Sequence, residues 1–178
     1  MTIKTPRLTL VPLDLTHLQD VHSCLSDGEL TRLMVFNPKS DIEETRELIS
    51  ANLYEFSKAS PDFLEFAAIS DEGFVGNLTL YFFSDRPDTA EFAWVISKSH
   101  LRKGYAFEAV KGLIRHFHEN FGINRFLALC DSENSPSISL AKKLGMKHIN
   151  TSGGRFNRSD PKGERTEYTF ELVLDNNL

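Results

Sequence analysis

With 178 residues, 40% of them hydrophobic and 25% charged, the chain has the makeup of a soluble globular protein long enough to bury a real core. A formal net charge of −5 argues against a general nucleic-acid binder, because phosphate backbones select basic surfaces. Two distant cysteines, Cys24 and Cys130, cannot build a disulfide framework or a zinc site, and no apolar run approaches the roughly 20 residues of a membrane span.

The start, MTIKTPRLTL, lacks the apolar stretch of a signal peptide, so a reducing cytoplasm is the expected compartment. RLTLVPL (7–13) alternates polar and apolar residues and meets Pro12 and Asp14, which reads as a strand ending at a turn. From Asp14 to Leu33, apolar residues at 15, 18, 21, 24 and 25 recur at helical spacing. A second helix is expected after Ser40 or Asp41, with Glu43 and Glu44 in its first turn, reaching about Lys58. FLEFAAIS (63–70), the turn DEG and FVGNLTLYFF (74–83) form a hairpin pattern, and TAEFAWVIS (89–97) follows as the next strand. Residues 104–120 are helical by spacing, 125–130 form a short apolar strand, and Pro136 suits the first turn of a helix over 137–144 that Gly145 closes. KHINTS (147–152) and EYTFELVL (167–174) are the last strands, with 153–165 between them as a long loop or a hairpin tip. The strand–helix–strand unit from Thr89 to Cys130 requires a parallel pair, whereas consecutive strands before it favour antiparallel pairing. The expected fold is therefore a single α/β domain over 1–178, a mixed, mostly antiparallel sheet flanked by helices.

HLRKGYAFEA (100–109) places two basic residues and a glycine between the strand over 89–97 and the helix that follows. A helix start leaves unpaired N–H groups and the positive end of a dipole, so it attracts anions, and Gly104 permits close backbone approach. The amides of Lys103, Gly104, Tyr105 and Ala106 would face such an anion. An exposed helix start with two solvated basic residues is the other reading of this spacing. Neither a Walker loop nor a dinucleotide fingerprint is present.

The segment from Thr89 to Met146 resembles the core of the GNAT superfamily of acyl-CoA N-acyltransferases. LRKGYA (101–106) lies where that family carries its Q/R-x-x-G-x-G/A loop, and ENSPSISLAKKLGM (133–146) is similar to its N-x-x-S…L-G-F stretch. TPRLTLVPL and the EFAWVI…KGYAFEA context resemble the ribosomal-protein N-acetyltransferase-like branch. The resemblance implies that the loop from Leu101 binds acetyl-CoA and that backbone N–H groups of Arg102, Lys103, Gly104, Tyr105 and Ala106, Gly104 above all, hold its pyrophosphate. It implies that Phe92 to Ile96 splays from Leu127 to Cys130, so that Trp94 and Ile96 pair with the pantetheine arm, and that the Trp94 amide polarises the thioester carbonyl. Asn134 and Ser137 would contact the arm near the sulfur. No metal is implied.

The chain departs from the family at Leu101, at Met146 and at Ala141, where many members carry the tyrosine that protonates the leaving thiolate. Ser137 or water is the substitute acid. A protonated acceptor amine needs a base, and Glu91, just before the splayed strand, is the first candidate, an edge glutamate in solvent being its bland alternative. Glu167 and His148 are more remote candidates, with His148 more simply a half-buried strand residue. Cys130 reads as a small buried hydrophobe in the cleft wall. His116 and His118 do not share a helix face, so metal binding there is not expected. The expected reaction is direct acetyl transfer to a primary amine, a peptide N-terminus or a small cationic amine, by a monomer or homodimer. Two alternatives stay open: a catalytically silent acyl-CoA-binding module, and a phosphate-binding protein that only mimics the loop.

Overall fold

Alternating apolar residues and well-placed turn residues become eight strands of one sheet in the computed structural model, which describes residues 1–157 and 163–175. The strands are β1 (Ile3–Lys4), β2 (Thr9–Pro12), β3 (Phe63–Ser70), β4 (Gly73–Phe83), β5 (Arg86–Ile96), β6 (Arg125–Asp131), β7 (Lys147–Phe156) and β8 (Glu164–Val173). Their spatial order is β1-β2-β3-β4-β5-β6-β8-β7, and β5–β6 is the parallel pair among antiparallel neighbours. The mixed sheet and its crossover are thus as the sequence pattern requires.

Helices follow their punctuation. Asp41 caps α3 (Ile42–Phe56) in a capping box with Glu44, and left-handed Gly104 and Gly122 bracket α4 (Tyr105–Phe121). Asn134 caps α5 (Ser135–Lys143), whose first turn holds Pro136. The single helix expected over 14–33 is instead a 3-10 turn (Leu15–His17), α1 (Leu18–Leu25) and a short α2 (Gly28–Thr31). The break has a local cause: the Asp27 carboxylate accepts from the amides of Glu29 and Leu30 and pairs with Lys98, so it starts a new helix instead of continuing the old one. The expected loop over 153–165 is also corrected. β7 continues to Phe156 and β8 begins at Glu164, while residues 158–162 of the expected loop or hairpin tip lie outside the described residues.

Alternation divides the sheet into two buried faces. Phe66, Leu78, Leu80, Phe92, Phe126 and Phe170 pack with Val110, Leu113 and Phe117 of α4. On the opposite face Ala67 and Val95 pack with Leu18, Val21 and Leu25 of α1 and Ile49 of α3. No helix among the described residues is long and apolar enough to cross a membrane.

Candidate functional site

The parallel pair opens part-way along its length. Thr89 to Phe92 match Arg125 to Ala128, but beyond that point β5 continues to Ile96 and β6 to Asp131 without pairing to each other. The gap starts later than expected, by one residue on β5 and two on β6, since Phe92, Leu127 and Ala128 are still paired. The pleat fixes which groups line it. The Ser97 amide donates to the Val75 carbonyl, and the Val95 carbonyl lies against Gly76, so odd-numbered backbone groups at this end of β5 face β4. Trp94 and Ile96 therefore turn their N–H and C=O groups to the unpaired edge. Gly76 makes the approach of β4 and β5 possible, because a Cβ there would stand 2.2 Å from the Val95 oxygen.

Past Ile96 the chain makes a 3-10 turn, Lys98–His100, in which buried His100 bonds through Nδ1 to the Ser97 and Ser99 hydroxyls at 2.8 and 2.9 Å. Arg102 and Gly104 then adopt left-handed conformations, with φ of 61° and 81°. For arginine that conformation costs on the order of 1 kcal/mol or more, and such strain is kept where the fold over-determines it. No acceptor among the described residues meets the amides from Arg102 to Phe107, and the first bond of the helix is Glu108 to the Gly104 carbonyl. Six successive amides at a helix start, with Leu101, Arg102, Lys103 and Gly104 all exposed, make a place for an anion. Leu101 adds no polar contact. Lys103 pairs with Glu72 at 2.9 Å.

The third wall is the start of α5. The Asn134 side chain accepts from the Ser137 amide at 3.2 Å, so its oxygen is committed to capping the helix. Its amide nitrogen and the half-buried Ser137 hydroxyl carry no protein bond among the described residues. Ala141 is buried in the core, and its methyl side chain offers no hydroxyl. Asp131, fully buried, holds the turn before Asn134: it accepts from the Glu133 amide at 2.7 Å and from the Arg165 guanidinium at 2.7 and 3.1 Å. Burial pushes the Asp131 carboxyl up, but Arg165, the Glu133 amide and Asn157 together bring it below the ordinary range. Cys130 is buried and its thiol is pushed up to about 11, chiefly by burial, which suits an inert wall residue and not a nucleophile.

The helix-α1 side of the same strands carries carboxylates. Glu91 is half-buried on β5 opposite Tyr81 of β4, and its carboxyl is raised by burial and by Glu167, with Arg86 opposing. Arg155 donates to Glu167 at 2.5 Å and to the Leu33 carbonyl at 2.9 Å, tying β7 to the loop after α2. Deeper lies Glu65, 5% exposed, bonded by Asn77 and near the Thr79 hydroxyl; burial raises its carboxyl above the usual value. Glu167, remote from the loop in sequence, is thus brought beside Glu91. His148 is exposed, not half-buried, and its ring contacts Tyr168 and Phe170 on the opposite face, away from Glu91. Among the described residues no group of His, Cys, Asp and Glu is gathered as a metal centre requires. Sequence reasoning missed the roles of Arg7, Glu65 and the Asp131–Arg165 pair, since each partner is distant in the chain.

Comparisons with known proteins give the family and the fold. A family model described as "Acetyltransferase (GNAT) domain" matches residues 7–147. An uncharacterized N-acetyltransferase, YnaD of Bacillus subtilis, is 25% identical, with 97% of each chain covered. An uncharacterized N-acetyltransferase, p20 of Bacillus licheniformis, is 29% identical over 82% of each. The crystal structure of RimL, a ribosomal L7/L12 alpha-N-protein acetyltransferase in complex with coenzyme A, has the same fold at a TM-score of 0.87 and 16% identity, covering 98% of this chain and 99% of that one.

Proposed function

The chain belongs to the GNAT acetyltransferase family and transfers an acetyl group from acetyl-CoA to an amine; on that premise we propose how its residues divide the work. The amides of Arg102 to Ala106, Gly104 foremost, hold the diphosphate, and the free edge at Trp94 and Ile96 pairs with the pantetheine arm as a strand would. The Trp94 N–H lies where the thioester oxygen gains negative charge, and a donor aimed there stabilises the transition state. Asn134 and Ser137 border the sulfur, and Ser137 or water returns a proton to the departing thiolate.

The acceptor enters from the α1–α3 side. Glu91 takes the proton from the acceptor ammonium, whose ordinary pKa near 10 leaves little free amine at neutral pH. A raised carboxyl pKa makes Glu91 a better base than an ordinary glutamate. With Glu167 behind it and a net charge of −5, the acceptor is cationic: a peptide N-terminus, as in the RimL description, or a small polyamine.

The observation that carries this reading is the coincidence of an unpaired β5 edge with a run of unbonded amides directly after it. Thermal-shift measurement with acetyl-CoA and with ATP, followed by free-thiol release on a panel of peptide and polyamine acceptors, tests it. Stabilisation by acetyl-CoA alone, with turnover, is expected. Equal stabilisation by ATP would reduce the loop to a generic phosphate site, and binding without turnover on any amine would leave a silent acyl-CoA-binding module.

A further inference from the structure

The least explained part of the molecule is its N-terminal turn, TPRL, a hundred residues from the loop it touches. The turn between β1 and β2 reaches the first turn of α4. Glu108 accepts from the Thr5 hydroxyl at 2.6 Å, the Arg7 amide at 2.7 Å and Arg7 Nε at 2.6 Å. The next turn of the helix follows the same contact: a Cβ on Gly112 would stand 2.7 Å from the Thr5 methyl, so the missing side chain lets α4 lie against this segment. The Arg7 guanidinium, fixed by Glu108, lies over the Tyr105 ring at 4.6 Å, and its Nη1 donates to the Lys103 carbonyl at 3.0 Å.

That last bond aims another group. A trans peptide is planar, with C=O and N–H pointing in opposite directions, and no peptide bond among the described residues is cis. The Lys103 carbonyl and the Gly104 amide belong to one such plane. Holding the carbonyl against Arg7 directs the Gly104 N–H away from it, to the exposed side where the neighbouring amides have no partner. Glycine at 104, in a left-handed conformation with only Arg7 near it, would otherwise let this plane turn over at little cost.

We propose that Arg7 is a positioning residue for coenzyme binding, which sets the Lys103–Gly104 peptide plane so that the Gly104 amide meets the diphosphate. This rests on the coenzyme reading given above. Arg7 acts here through geometry and not through net charge, since Glu108 neutralises it.

The experiment compares wild type, Arg7→Gln, Arg7→Lys and Glu108→Gln with two donors: acetyl-CoA, and S-acetylpantetheine, which keeps the arm and thioester but lacks the diphosphate. Losing one charge-assisted bond predicts a rise of about tenfold in KM for acetyl-CoA in Arg7→Gln, with kcat at saturation kept. Turnover of S-acetylpantetheine should match wild type within about twofold. Lysine has no planar fork to span Glu108 and the Lys103 carbonyl, so Arg7→Lys should not restore KM. Glu108→Gln should shift KM in the same direction, and it keeps the test open if Arg7→Gln fails to fold. Equal losses with both donors, full rescue by lysine, or wild-type KM in all three variants would overturn the proposal. A wild-type protein that binds no acetyl-CoA would instead overturn the coenzyme reading, and the proposal with it.

Discussion

Gly76→Ala is expected to damage acetyl-CoA use more than it damages the fold. The added Cβ would stand 2.2 Å from the Val95 oxygen and 2.9 Å from the Ile96 Cα, where real Cβ atoms keep about 3.4 Å. Both neighbours are backbone, so no rotamer change relieves the contact, and the end of β5 must move by about 1 Å. Overpacking of this kind costs about 1–3 kcal/mol, which lowers the melting temperature by roughly 2–12 °C in a chain of this size. Displaced away from β4 within the plane of the sheet, the end of β5 moves into the gap beside β6. A strand needs about 4.8 Å on each side, so a 1 Å narrowing breaks the bonds that Trp94 and Ile96 are proposed to make. KM for acetyl-CoA should therefore rise at least about tenfold at temperatures well below the melting point. Gly122→Ala is the internal control: a φ of 69° strains it, but nothing lies within 4 Å, and it closes the end of α4 opposite to Gly104. It should lose stability with KM unchanged. If Gly76→Ala keeps wild-type KM and melting temperature, the β4–β5 approach does not define the gap.

Further outcomes concern titrating groups. Glu91→Gln should cut kcat by about 10²–10⁴ and remove the acid limb of the pH–rate profile, whereas Glu167→Gln, by deleting the like charge, should move that limb to lower pH. An unchanged profile in Glu91→Gln would exclude it as the base. Glu65 holds its proton longer folded than unfolded, so stability is lost as pH rises from the ordinary glutamate range through its raised value. Glu65→Gln should thus melt higher than wild type at pH 8, with the gain vanishing near pH 4, as calorimetry at the two pH values would read. Asp131 is depressed, so its contribution is present at neutral pH and fades as pH falls through its folded value. Arg165→Met should lower the melting temperature by roughly 10 °C at pH 7 and by much less at pH 3, where the stranded carboxyl is protonated.

Local chemistry was legible in the chain because it acts over a few residues. Asp41 with Glu44, Gly104 and Gly122, and Asn134 with Pro136 set helix ends within a residue or two, and alternation set the strand cores. The β5–loop–α4 unit, and with it the corner proposed to hold the diphosphate, could be placed from spacing and from resemblance. The break at Asp27 could not, since it depends on a carboxylate choosing nearby amides and Lys98 over a continuing helix. Nor could the length of the last hairpin, whose ladder extends through glycine and polar residues that no apolar alternation marks.

By itself the sequence determined the elements, the crossover that makes one pair parallel, and the family, because periodicity, caps and motifs are written in neighbouring residues. Tertiary structure alone decided where β5 and β6 part, that Glu167 stands beside Glu91, that Arg165 neutralises a buried Asp131, and that Arg7 reaches the loop at Lys103. Each of these joins residues tens of positions apart through a bond or charge whose strength depends on distance in space, and separation along the chain carries no record of that distance.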